Sequence, residues 1–155
     1  MKNLLSIFIL VNSTFLYSQC EELIPINNSI IEFVDNSMGE KIGRGECWDL
    51  AKEALDYAEA TLIDAYVFGR LLDKNECIYP GDILQFENIK TELVEGGLTT
   101  FQNFPHHTAI VYETTSQNEI ILAHQNVDGK RKVTTSKFIF SSVIEGELKV
   151  YRPID

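Results

Sequence analysis

The sequence predicts an α+β domain in which N-terminal helices pack on an antiparallel sheet of about five strands. Two observations carry that class. Apolar residues recur at helical spacing before residue 61 and in alternation after it. The change happens once, with no internal repeat or low-complexity linker to divide the chain. Helices first and strands after is the layout of helices laid on one face of a sheet. A length of 155 residues with 45% apolar and 23% charged side chains supports one core and excludes wholesale disorder.

Met1-Lys2-Asn3 followed by the apolar run Leu4 to Val11, then Phe15-Leu16-Tyr17-Ser18, has the three-part layout of a signal peptide over residues 1–18. The run is too short to span a bilayer. Cleavage before Gln19 predicts a secreted or periplasmic protein, and Cys20 offers a lipid anchor as the alternative. Residues 19–27 are expected to be an extension and 28–155 the domain.

Within the domain, Ser29 to Ser37 reads as a short helix with Ile30, Ile31, Phe33 and Val34 on one face. A glycine-rich loop from Met38 to Gly45 follows. Glu46 to Ala60 is the clearest helix, with Cys47, Leu50, Ala51, Ala54, Leu55 and Ala58 in one apolar stripe. Pro80-Gly81-Asp82 then turns the chain into a strand at Ile83 to Phe86. Further strands are expected at His107 to Glu113, Ile120 to Asn126, from Lys132, and at Leu148 to Arg152.

Thirteen Lys and Arg stand against 23 Asp and Glu, a formal charge of −10. That balance argues against nucleic acid and anionic membrane surfaces as partners. The one basic cluster, Lys130-Arg131-Lys132, reads as a solvated turn. No CxxC, HExxH, GxSxG or glycine-rich phosphate loop is present, so neither a metal nor a cofactor is expected.

Cys47 sits where a helix begins, and unpaired N–H groups and the helix dipole favour a thiolate there. The same cysteine lies on the apolar stripe, where an inert buried thiol is the alternative use. The three histidines, His106, His107 and His124, all fall in two strands joined by the Thr114 to Glu119 turn. An even-length turn sets His107 and His124 on one sheet face, and an odd-length turn offers Gln125 instead. A thiol, an imidazole and a third polar group to orient that imidazole are the parts of a nucleophilic site.

Gly45-Glu46-Cys47-Trp48-Asp49-Leu50-Ala51, Tyr79 to Phe86, His107-Thr108-Ala109-Ile110-Val111 and Leu122 to Asn126 stand in the order of four motifs of the papain-like cysteine hydrolases. Over residues 28 to 153 the chain resembles their NlpC and CHAP types, and is similar to a papain-like domain found at the end of some plant and fungal proteins. The resemblance implies a papain-like fold with Cys47 as nucleophile, His107 as general base and acid, and His124 as the orienting residue. It places His106 outside the motif, facing the other side, and makes the Cys47 N–H an oxyanion donor.

The function so implied is a secreted thiol hydrolase cleaving a peptide or isopeptide bond, with peptidoglycan stem peptides among its substrates. Two alternatives stand beside it. One is an idle papain-like binding module. The other is a toxin-like effector that deamidates or cross-links a target and is met by an immunity-like inhibitor protein. An exported thiol enzyme must keep Cys47 reduced, so Cys20 and Cys77 are the expected disulfide pair, a closure of about 4 kcal/mol on the chain-entropy model.

Overall fold

The computed structural model describes residues 24–155. The expected signal peptide, its cleavage site and Cys20 lie outside the described residues. Helix α1 spans Pro25–Ser37 and α2 Cys47–Tyr57. Six strands follow: β1 Arg70–Leu71, β2 Ile83–Glu95, β3 Leu98–Thr114, β4 Glu119–His124, β5 Thr134–Ile139 and β6 Val143–Arg152. They form one sheet in the order β1-β6-β2-β3-β4-β5, and every neighbouring pair is antiparallel. The α+β class therefore holds, with one strand more than expected. That strand, β1, has two residues and pairs through Arg70 with Arg152 and Leu71 with Tyr151, too short to leave an alternation in the sequence.

Helix α1 starts four residues before the predicted Ser29, because Pro25 at its first turn has no N–H to lose and a φ already suited to a helix. Residues 25–27 are thus part of the fold. Asn27 is buried and its Nδ2 donates to Pro80 O at 2.8 Å and to Asp82 Oδ1 at 2.9 Å, tying α1 to the Pro-Gly-Asp turn. Gly81 has φ +88°, and a Cβ there would sit 2.6 Å from Asn27 O, so only glycine fits this close approach.

The larger surprise is the length of the β2–β3 hairpin. The sequence predicts no strand over 87–105, because its charged and polar residues blur the alternation. The hairpin nevertheless runs to Gly96-Gly97, whose φ values of +58° and +81° suit a two-residue turn matched to strand twist. That Gly-Gly pair was the available signal.

The sheet separates two apolar cores. On one face Ile30, Val34, Leu50, Ala51, Ala54 and Leu55 of the helices pack against Ile83, Ile110, Ala123 and Tyr151. On the other, Leu84, Phe86, Ile89, Ala109, Val111, Leu122 and Phe138 form a cluster that contains no helix residue. Alternation along β2, β3 and β4 decides which side chains share a face with α2.

Candidate active site

Cys47 is the first residue of α2, free and half-buried. The loop before it is held by Asp49, 6% exposed, whose Oδ2 accepts from Arg44 N at 2.7 Å and from Glu46 N at 3.4 Å while Arg44 Nη2 reaches Oδ1 at 2.7 Å. The Arg44 side-chain bond holds the Asp49 carboxyl below the usual carboxylate range. From the sheet, Gln125 Nε2 donates to Ile42 O at 2.9 Å and Glu46 O at 2.8 Å, and Gln125 Oε1 accepts from Ile42 N at 3.2 Å. Gln125 is fully buried, so the start of α2 is pinned to β4 by an amide with no water to compete. Asp49→Ala should cost about 1–3 kcal/mol, the penalty for orphaning the backbone donors it satisfies. Urea denaturation measures it, and a loss within a few tenths of wild type would show that the loop is held by other contacts.

His107 and His124 do come together: His107 Nε2 and His124 Nδ1 are 3.2 Å apart, with ring centroids at 5.3 Å. The route differs from the even-length turn expected. Thr114 pairs with Ile120, enclosing the odd-numbered stretch 115–119, and a bulge between Val111 and Glu113 adds one residue to β3. The bulge restores the parity, since one extra residue flips every later side chain to the opposite face.

The face they share is not the one that α2 covers. His107 pairs with Phe86 and packs on Phe86 and Phe104, with centroids at 5.8 and 5.5 Å, inside the cluster remote from the helices. The structure thus joins His107 to His124 and sets the pair on the sheet face opposite the one α2 packs on. Cys47 begins a helix on one side of the sheet, and the histidine pair is buried on the other. Burial first, and the neighbouring His124 second, push His107 down to about 3; burial pushes His124 down to about 4.

On the helix face stands the histidine that the motif reading set aside. His106 Nδ1 lies 2.9 Å from Glu87 Oε2, and Gln85 Nε2 donates to Glu87 Oε1 at 2.9 Å. Thr108 Oγ1 donates to Gln85 Oε1 at 2.6 Å. Gln85 and Thr108 face each other across β2 and β3, as Glu87 and His106 do, and Ile110 on the same face of β3 reaches the helix core. Tyr66 meets the His106 ring edge-on at 4.3 Å. The hydrogen bond from His106 holds the Glu87 carboxyl below its ordinary range. A proton on His106 Nδ1 shared with Glu87 leaves Nε2 as a lone-pair acceptor on a ring that reaches solvent. The adjacent pair His106-His107 concealed this: strand alternation sends the two rings to opposite faces, and only the packing of α2 shows which one the thiol side receives.

The residues from 25 to 155 match the model of the AIM3/BBC1 cysteine proteinase-fold domain. The chain belongs to that family. It is 31% identical over 161 residues to altered inheritance of mitochondria protein 3 of Debaryomyces hansenii, covering 86% of this chain and 17% of that protein. The AIM3/BBC1-type chain thus spans about a sixth of the length of this relative. Among solved structures it is similar to Ly7917, seen with the hydrolysing product of MDP, with a TM-score of 0.52 at 16% identity over 82% of this chain and 62% of that one. NlpC2 from Trichomonas vaginalis gives a TM-score of 0.50 at 15% identity, covering 86% and 49%. The fold is papain-like, of the NlpC type, as the four motifs implied.

The expected localisation is overturned. The curated relative is named for inheritance of mitochondria, which is not the setting of a secreted or periplasmic hydrolase. A short apolar run after one lysine satisfies the physical pattern of an export signal, but that pattern is generic hydrophobicity and carries little information. Among the described residues no helix is long and apolar enough to cross a membrane. Cys77 is disulfide-bonded and Cys47 is not, while Cys20 lies outside the described residues.

Proposed function

We propose that this cysteine proteinase-fold domain is a thiol hydrolase of peptide or isopeptide bonds, with Cys47 as nucleophile, His106 as base and Glu87 as its orienting carboxylate. The observation that carries the reading is the 2.9 Å His106–Glu87 contact on the sheet face that receives the start of α2. In the reaction the Cys47 proton passes to His106 Nε2 and sulfur bonds to the scissile carbonyl carbon. The C–N bond then breaks as the amine leaves with that proton. Water, deprotonated by the same ring, hydrolyses the thioester and restores the thiol. The backbone N–H groups opening α2 face the developing oxyanion. A stem peptide of peptidoglycan is one substrate with the required bond.

Iodoacetamide alkylation of Cys47 at neutral pH tests the assignment. His106→Ala should slow it roughly tenfold through loss of the thiolate-stabilising imidazole, and Glu87→Gln should slow it less. His107→Ala should leave the rate unchanged in the folded protein. Slowing by His107→Ala alone would sink the assignment and return the base to the other face.

An idle binding module remains the second reading, favoured by one feature: among the described residues the Cys47 thiol makes no hydrogen bond. An alkylation rate equal to that of a free cysteine would select it.

A further inference from the structure

The Lys130-Arg131-Lys132 stretch is exposed and follows a turn, as expected. With Lys41, Val133 and Thr134 it lines a concavity of about 510 Å³. Four basic residues therefore line one concavity in a chain whose formal charge is −10. Only Arg131 is neutralised, by Glu46 Oε1 at 3.0 Å. Lys41, Lys130 and Lys132 have no carboxylate within ion-pair distance among the described residues. Backbone ladders hold the walls, since Gly39 N donates to Val133 O at 3.0 Å and Val133 N to Glu40 O at 2.8 Å. The lysine on one wall and the cluster on the other are thus fixed on facing segments.

The concavity adjoins the segment that leads into Cys47. A Cβ on Gly45 would lie 2.8 Å from Arg131 Cβ, Arg131 Nη1 reaches Arg44 O at 3.4 Å, and Asn126 Nδ2 donates to Glu46 Oε2 at 2.7 Å. Residues 44, 45 and 46, which lead directly into Cys47, thus contact Arg131 of the concavity's lining. A chain laid across the start of α2 would carry its flanking side chains over three unpaired ammonium groups.

We infer that this concavity is a subsite for an anionic side chain, carboxylate or phosphorylated, of an extended peptide bound across Cys47. Its position as a substrate subsite rests on the hydrolase reading; its capacity to bind the peptide does not. The volume suits one or two side chains. The acidity of the rest of the chain opposes a long polyanion or an anionic bilayer, each of which would have to approach far more than this patch. Lysines are mobile point charges that accept either anion.

Fluorescence anisotropy on the Cys47→Ala variant, which cannot turn the probe over, reads the binding directly. Fluorescein-labelled hexaglutamate and a labelled phosphoserine peptide are the probes, with hexalysine as control. Both anionic peptides should bind, hexalysine should not, and affinity should fall as salt rises from about 0.05 to 0.2 M. The stronger of the two names the source of the anion. Replacing Lys41, Lys130 and Lys132 together by glutamine should weaken binding roughly tenfold, since each exposed charge contributes modestly. All three are exposed, and circular dichroism checks that the fold is kept. Equal affinity in the triple variant, absence of anionic-peptide binding, or preferential capture of phosphatidylserine vesicles would overturn the inference. Peptide binding beside a Cys47 of ordinary reactivity would keep the anion site and remove only the hydrolase reading.

Discussion

Asp82→Ala is expected to destabilise the domain by about 3–5 kcal/mol, the cost of leaving a buried charge without its partner. Asp82 is fully buried and Arg152 is only 14% exposed at its side chain. Asp82 Oδ2 accepts from Arg152 Nη2 at 2.8 Å and from Tyr79 N at 2.9 Å, while Oδ1 accepts from Arg152 Nε at 3.1 Å and from Asn27 Nδ2 at 2.9 Å. Arg152 is held further by Cys77 O at 2.6 Å and by the Tyr79 ring, 4.4 Å below its guanidinium. One carboxylate thus joins α1, the Pro-Gly-Asp turn and the last strand. A small domain has only about 5–15 kcal/mol in total, so this single change removes a large share of it. Urea unfolding measures the loss. The pair Asp82→Ala with Arg152→Leu should recover part of it, because no uncompensated cation is then left inside. A loss under about 1 kcal/mol for Asp82→Ala would show that Arg152 finds another partner or escapes to water.

Acidification from pH 7 to 5 should remove about 3–4 kcal/mol through His107 and His124 alone. Both are buried and held neutral, with His107 near 3 and His124 near 4, against about 6.5 in an unfolded chain. The sign follows from proton counting. Between the folded and unfolded values the unfolded chain binds more protons, so stability rises with pH and falls as pH drops below about 6.5. The loss continues until the folded values are reached. Carboxylates held low by partners, such as Asp49 and Glu87, lose their contribution only at lower pH, as pH falls below the ordinary carboxylate range. Urea midpoints at pH 7 and 5 give the effect, and His107→Phe should reduce the difference by about half. A midpoint that does not move between these pH values would mean that the pair is already protonated in the folded state or is not buried.

The AIM3/BBC1-type site shows where pattern reading reaches its end. The period of 3.6 around Leu50, Ala51, Ala54 and Leu55 located α2, and Cys47 at its first residue follows from the helix start alone. Pro80-Gly81-Asp82 marked the entry to β2, although nothing local to those residues shows that Asp82 binds Arg152, which is 70 positions away. The order of motifs announced a papain-like fold, which the family match and the solved structures bear out. The hairpin over 87–105 escaped because its outer half is solvated on both faces, so no alternation was imposed on its residues.

What the sequence by itself determined is therefore the α+β class and the helix that presents Cys47. Those depend on local periodicity and helix-start chemistry, both written in contiguous residues, whereas the pairing of His107 with His124 depended on a bulge in β3. Only the tertiary structure decided which face of the sheet α2 covers, and with it that His106 and Glu87 share a side with α2 while His107 and His124 do not. A strand's alternation divides its residues into two sets without saying which set meets the helix. The packing of Leu50, Ala51 and Ala54 against Ile83, Ile110 and Ala123 makes that choice, because burying those apolar faces together is what orders the two layers.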